Sequence, residues 1–276
     1  MSNVKNIKTM KLYRHPERIY NELNAIGYKR DIPLKVEDIS LLDQYHYLGT
    51  DAVDDAILSL NIDSENRVVD IGSGIGGPAR YLAKKTGCHV TALELQPELH
   101  NIACSLTEHC KLSDFVRHMC GDILDFSERH YNFDVLVSWL VFLHITDRSS
   151  LLKKCYNILL PDGKMFVEDL CKCNEFDEEE TKILSEDVYC TYLPTLEEYR
   201  KQLIENGFTV VELIDKTDCW KNFVKERMEK FIQNRNRHIN IHDIKIVEEL
   251  EDFYKKIYCL FSGGNLGGLR IIAKKV

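Results

Sequence analysis

A chain of 276 residues with a formal charge of −8 suits one α/β domain with an elaboration, or two small domains. The acidic balance argues against nucleic acid as the partner, since that binding rests on neutralising phosphates, and favours a cationic or zwitterionic small molecule. Hydrophobic residues make up 44% of the chain, yet no run of eighteen apolar residues occurs and Met1 to Lys5 lack the apolar core of a signal peptide, so neither a membrane span nor secretion is expected.

The ten cysteines are scattered, and in a chain expected to be cytoplasmic they are read as reduced thiols. Cys171 and Cys173, with one residue between them and no second cluster, form a poor zinc signature, so no metal is assigned. Residues 1 to about 35 are charged and tyrosine-rich, with apolar spacing at Ile19, Leu23 and Ile26 that predicts helical packing over the rest of the chain. Val36 to Leu42 leads into Asp43-Gln44-Tyr45-His46-Tyr47-Leu48-Gly49, a cluster of aromatic and hydrogen-bonding groups ahead of an amphipathic helix, Thr50 to Leu60. Such a cluster reads equally as ordinary packing or as a binding wall.

Val68 to Gly77 carries the densest chemistry. Val68, Val69 and Ile71 predict a buried parallel strand, which Gly72, Gly74, Gly76 and Gly77 then break, and Pro78 suits the first turn of a helix. Glycine permits positive φ and lets a ligand approach the backbone closely. A second strand, His89 to Glu94, ends in an acid placed to accept from ribose hydroxyls. The glycine offsets of 0, 2, 4 and 5 depart from the dinucleotide pattern, and Asp70, two residues before the first glycine, would repel a pyrophosphate. A ligand carrying an ammonium and a sulfonium would be attracted instead.

Regular alternation of strand and helix continues. Pro97 opens a helix to about Cys110. Strand three, Phe115 to Met119, leads to Gly121-Asp122-Ile123 at the ligand-facing edge. Strand four, Phe133 to Ser138, runs into Trp139-Leu140-Val141-Phe142-Leu143-His144-Ile145, apolar apart from His144. A lone histidine in such a run is commonly a satisfied core residue, yet an imidazole here can also take a proton from an ammonium. Thr146-Asp147 caps a helix over Leu151 to Leu160, and strand five follows from Lys164 to Asp169, where Glu168 is a conceivable proton-transfer group. Tyr189 and Tyr192 precede a helix through Leu196 and Leu203, then strand six, Phe208 to Asp215. Lys216 to about Phe261 has helical spacing and suits a lid. Gly263 to Gly268 is expected to form a tight hairpin turn into strand seven, Leu269 to Lys274.

Asp70-Ile71-Gly72-Ser73-Gly74-Ile75-Gly76-Gly77, with Glu94 after it, closely resembles the cofactor motif of class I S-adenosylmethionine (SAM) dependent methyltransferases. The resemblance implies a Rossmann-like, seven-stranded, mostly parallel sheet with helices on both faces. It divides the chain into an N-terminal helical cap (1–60), a SAM-binding core (61–215), a helical lid (216–262) and the last core strand (263–276). It implies SAM as cofactor and S-adenosylhomocysteine as product. The loop wraps the methionine part, Asp70 orients the amino group through its neighbours, Glu94 binds the ribose, Asp122 accepts from the adenine amine and Ile123 packs on the ring. The cofactor set expected on this basis is Asp70, Gly72, Ser73, Gly74, Gly76, Glu94, Leu95, Asp122, Ile123 and Ser138.

Among such enzymes the chain is most similar to small-molecule N-methyltransferases of the sarcosine/dimethylglycine and phosphoethanolamine groups. There the segment matching Tyr45-His46-Tyr47 lies over the SAM methyl, and His144 stands where phosphoethanolamine methyltransferases place a catalytic histidine. Thr195-Leu196-Glu197-Glu198-Tyr199 also fits that group, whereas Leu140 replaces its acidic residue and Cys219 its tyrosine before Trp220. The expectation is SN2 transfer to the nitrogen of a small amine or amino-acid-like metabolite. His144 is the expected base with Tyr47 beside it, and Tyr45, His46, Trp139 and Tyr192 contact the acceptor. Sterol or prenyl-lipid C-methylation and non-catalytic SAM binding are the alternatives, and the chain is expected as monomer or homodimer.

Overall fold

The computed structural model describes residues 7, 9–29, 32–126 and 132–276; the first six residues of the expected cap lie outside them. Its seven strands are β1 Arg67–Ile71, β2 His89–Glu94, β3 Val116–Cys120, β4 Phe133–Trp139, β5 Leu159–Lys172, β6 Phe208–Asp215 and β7 Leu266–Lys275. They form one sheet in the order β3-β2-β1-β4-β5-β7-β6. Strands β3 through β5 pair in parallel, and β7 enters antiparallel between β5 and β6.

The middle of β1 reads as a continuous apolar run around Asp70 because both faces of the sheet are covered, and Val68 to Ile71 are all buried. On one face Val68, Val90, Val137 and Phe166 pack against helices α3 (Thr50–Leu60) and α4 (Gly77–Thr86). On the other, Val69, Leu136 and Met165 meet α6 (Arg148–Ile158) and α8 (Leu196–Glu205). A further core joins Ile19 and Leu23 of α1 (Arg18–Ala25) to Ile75 and to Leu99 of α5 (Pro97–His109). Short helices α2 (Val36–Ile39) and α7 (Glu178–Glu186) complete the wrapping.

Between β6 and β7 stand three inserted helices, α9 (Thr217–Gln233), α10 (Arg235–Ile241) and α11 (Ile244–Gly263). The apolar faces of α9 and α11 share a core with Met10, Leu12, Tyr47 and Leu143, which covers one end of the strand edge. No helix among the described residues is long and apolar enough to cross a membrane.

Two local expectations are corrected. Strand five extends beyond Lys164–Asp169 because β7 pairs with it residue by residue from Lys164 to Lys172. Gly263 to Gly268 is not a hairpin: α11 runs to Gly263, Gly264 caps it with φ of 81°, and β7 starts at Leu266. Gly268 lies inside the strand because the Trp220 ring of α9 rests on its backbone, where a Cβ would fall 2.0 Å from a ring atom. The glycines thus serve the contact between inserted helices and sheet rather than a turn.

Candidate active site

At the C-terminal edge of β1 the chain turns back on β2: the Gly72 and Ser73 amides donate to the Leu93 carbonyl at 2.8 and 3.0 Å. Gly72 has φ of 72°, and a Cβ there would lie 2.3 Å from Val141. Val141 reaches that position because Leu140, held by its amide to the Glu168 carbonyl at 2.8 Å, takes the left-handed conformation at the end of β4. Gly74 faces open space, and its amide donates to Glu94 Oε2 at 2.8 Å, while the Gln96 amide donates to Oε1 at 2.8 Å. Asp122 Oδ1 accepts from the Leu124 amide at 2.9 Å.

A cavity of about 380 Å³ opens along this edge, lined by Gly72, Gly74, Glu94, Leu95, Asp122 and Ile123, among others. Its volume lies in the range that holds a cofactor-sized ligand. Four expected cofactor residues lie outside its lining: Asp70 and Ser73 line an adjoining cavity, and Ser138 and Gly76 line neither. Ser138 is buried in the sheet, where its Oγ donates to the Ile71 carbonyl at 2.9 Å. Gly76 faces Arg80 and His118, so it serves the turn's positive φ of 80°.

A second cavity of about 90 Å³ adjoins the first, its walls including Tyr45, His46, Tyr47, Asp70, Ser73 and Trp139. The segment carrying the three aromatic residues is pinned from below. Arg80, wholly buried in α4, donates to Asp43 at 2.8 Å, and the Gln44 amide to the same carboxylate at 2.8 Å. The His46 ring lies 5.4 Å from Trp139 and its Nε2 donates to the Gly49 carbonyl at 2.9 Å. Tyr47 meets Trp220 edge-on at 5.0 Å, which joins this wall to the inserted helices.

His144 lines both cavities. It sits in a 3-10 turn, Phe142–His144, whose Leu143 amide donates to Asp169 Oδ1 at 3.1 Å. Asp169 is itself held by Arg148 and by the Tyr199 hydroxyl. Tyr199 reaches it from α8, which opens on a capping box of Thr195 and Glu198. The His144 Nδ1 lies 3.3 Å from the Tyr189 carbonyl, which can only accept, so Nδ1 carries the proton and Nε2 keeps its lone pair. Burial lowers the pKa of His144, and likewise that of His46, to about 4, so both rings are neutral at pH 7.

The carboxylates shift the other way. Burial, then the neighbouring Glu94, raises Asp70 to about 8, and burial raises Glu94 to about 6 against the pull of its amide donors.

Tyr192 is not brought to either cavity: it is 38% exposed, and its hydroxyl accepts from Gln202 Nε2 at 2.8 Å. Glu168 is taken up by Arg270, at 2.6 Å, and lines neither cavity. Two residues that the pattern of motifs did not single out do line the smaller cavity. Tyr13 borders both cavities, and Arg227 of α9 donates to the His46 carbonyl at 2.9 Å and lies 5.7 Å from the Tyr47 ring. Tyr13 sits in a turn without periodicity, and Arg227 belongs to a charged helix that reads as a solvated face.

Comparison with known proteins agrees with this fold. A family model described as a methyltransferase domain matches residues 69–167. Phosphoethanolamine N-methyltransferase 1 of Zea mays is 30% identical over 221 residues, 78% of this chain and 42% of the relative. Glycine/sarcosine/dimethylglycine N-methyltransferase of Actinopolyspora halophila is 30% identical over 156 residues, 56% of this chain and 28% of the relative. Among solved structures, the fold resembles a Haemonchus contortus phosphoethanolamine N-methyltransferase 2 complexed with phosphomonomethylethanolamine and S-adenosylhomocysteine. That likeness has a TM-score of 0.78 at 22% identity, over 84% of this chain and 54% of that one. The chain therefore spans from about a quarter to about half the length of these relatives.

The fold and the strand-edge motif define a class I SAM-dependent methyltransferase domain. Within that class its relatives include N-methyltransferases of small amines. The residues present fit the cofactor of the class. Asp70 Oδ2 and Ser73 Oγ are buried with no hydrogen-bond partner among the described residues, which suits a ligand carrying an ammonium and a carboxylate, and Gly74 leaves room for such a ligand against its backbone.

Proposed function

We propose that the protein transfers the methyl group of SAM to the nitrogen of a small amine or amino-acid-like metabolite, with His144 as the base. The observation that carries this reading is the position of His144 on the wall shared by the two cavities, with Nδ1 at the Tyr189 carbonyl and Nε2 without a partner among the described residues. When bound, SAM supplies a methyl on a cationic sulfur, open to displacement by a neutral amine.

Asp70 and Ser73 would hold its amino-acid end, Glu94 its ribose, and Asp122 with Ile123 its adenine. On the acceptor side Tyr45, Tyr47 and Trp139 would face a methylated ammonium, with cation–π contacts of ~0.5–2 kcal/mol once water is excluded. Drawing an ammonium into this apolar chamber lowers its pKa, which brings it closer to that of the neutral His144 imidazole for proton transfer. Most of the rate then comes from holding two reactants in line.

The departures at Leu140 and Cys219 tell against an acceptor held as in the phosphoethanolamine group, while Arg227 offers a guanidinium to an anionic group of the acceptor. A sterol or prenyl lipid is disfavoured by a chamber of about 90 Å³, when pockets for ligands of drug size run to about 300 Å³ or more.

Incubation with methyl-labelled SAM and a panel of amines, amino acids, phosphobases and sterols tests the proposal. Label on an amine nitrogen is the expected result. Label on a sterol carbon, or SAM binding without transfer to any member, would overturn it.

A further inference from the structure

We propose that Glu22, His238 and His242 form a divalent metal site of zinc type that clips the N-terminal helix to the inserted helices. Glu22 projects from α1, His238 lies on α10, and His242 is the residue that follows that helix at its C-terminal end. Their spacing of four places both imidazoles on one side of the helix. Across the gap Glu22 Oε1 lies 2.9 Å from His242 Nε2 and 3.9 Å from His238 Nδ1, and the three donor atoms fall within 4.8 Å of one another. Tetrahedral zinc with bonds of about 2.0–2.2 Å sets its ligands roughly 3.3–3.5 Å apart, so small side-chain shifts complete the triangle.

Other contacts prepare these groups. Among the described residues His238 Nδ1 is buried without a hydrogen-bond partner, although a carboxylate stands opposite it. The His238 ring is fixed in plane by stacking on Phe231, 4.3 Å between centroids and 14° between planes. The Asn21 amide lies 3.5 Å from His242 Nδ1; turned over, it presents its oxygen to an Nδ1 proton and leaves Nε2 for the metal. Arg237 donates to Glu22 Oε2 at 2.7 Å and to Oε1 at 3.4 Å. Keeping the first bond and releasing the second orients the carboxylate and frees Oε1.

Two imidazoles and one carboxylate are a zinc donor set with the fourth position left to water. The side chains of Glu22 and His238, each 16% exposed, leave that position open. The guanidinium beside the carboxylate makes this a weaker site than a closed structural one. Cysteine spacing could not reveal it, since Glu22 and His242 are 220 residues apart. The consequence reaches the cavities, because the turn ahead of α1 carries Met10, Leu12 and Tyr13 onto their walls. A metal at this point restrains the cover of the site.

The metal-free full chain is to be titrated with zinc chloride alone and, as an optical probe, with cobalt chloride. One zinc per chain, a cobalt spectrum without thiolate charge transfer and a zinc-dependent rise in Tm are expected. His238→Gln and His242→Gln should each weaken binding at least tenfold and abolish the rise in Tm. Equal zinc affinity in both variants, or a thiolate-type cobalt spectrum they leave unchanged, would overturn the proposal. If either variant misfolds, the histidine ring NMR signals of the parent decide: one equivalent of zinc must shift those of His238 and His242, and their failure to move overturns it.

Discussion

The two cavities are built in different ways. The larger takes its polar groups from the ends of neighbouring strands, Glu94 closing β2 and Asp122 following β3, so backbone pairing alone brings them into line. The smaller draws on Tyr13, Tyr45 to Tyr47, Trp139, His144 and Arg227, which no single element carries, and it needs buried contacts to hold it. The Arg80–Asp43 pair anchors one wall, Asp169 the His144 turn and Trp220 the inserted helices. On the proposed reading, a sheet edge supplies the cofactor site, while acceptor choice rests with segments that lie outside the sheet.

Breaking the two sides separately should separate their effects. His144→Gln is expected to lower kcat by about 10²–10⁴-fold, the usual worth of a general base, with the SAM Kd within twofold of the parent. Calorimetric SAM titration beside steady-state kinetics checks this, and a matching loss of SAM affinity would place His144 with the cofactor instead. Asp70→Asn should weaken SAM binding by ~2–5 kcal/mol, since it leaves the ligand's buried ammonium unpaired. Unchanged SAM affinity in that variant would remove Asp70 from the proposed cofactor set.

The same contrast predicts opposite responses to pH. The raised pKa of Asp70, about 8 against an ordinary value of 3.8, gives stability that is full below the ordinary value and is lost as pH rises through the folded value. His46 and His144, lowered to about 4, give stability that is present above 6.5 and lost as pH falls through 4. Urea midpoints of the ligand-free protein should fall toward both extremes, and Asp70→Asn should flatten the alkaline side alone. Binding of cationic SAM at pH 7 should release up to one proton from Asp70, read as a dependence of binding enthalpy on buffer ionisation. Proton uptake would contradict the assignment.

What the sequence made legible follows the same division. Seven strands, their order of appearance and the loop from Asp70 to Gly77 could be read because apolar runs, glycines and acids recur at strand spacing. The acceptor side was legible only where an aromatic cluster or a lone histidine stood out. Tyr13 and Arg227 were hidden because their places depend on contacts across most of the chain. Ser138 misled for a different reason: its position at a strand end is right for a ligand, but its hydroxyl is used within the sheet to tie β4 to β1. The glycines at 263 to 268 resembled a turn because glycine composition does not distinguish positive φ from a ring seated on a strand.

Tyr189 and Tyr192 give the smallest and sharpest test of this division. They stand three positions apart, and both precede the same helix. Tyr189, with φ of 55°, turns its carbonyl to His144 and lines the larger cavity, its hydroxyl 2.7 Å from Thr9 Oγ1. Tyr192 is more than a third exposed, and its hydroxyl is engaged by Gln202 on α8. Tyr192→Phe removes only that surface hydrogen bond, so stability should change by no more than about 0.5 kcal/mol and the acceptor KM by less than twofold. A larger rise in KM with an unchanged melting point would mean that the loop refolds over the acceptor on binding. The wall of the smaller cavity would then extend to a residue that the ligand-free fold holds outside it.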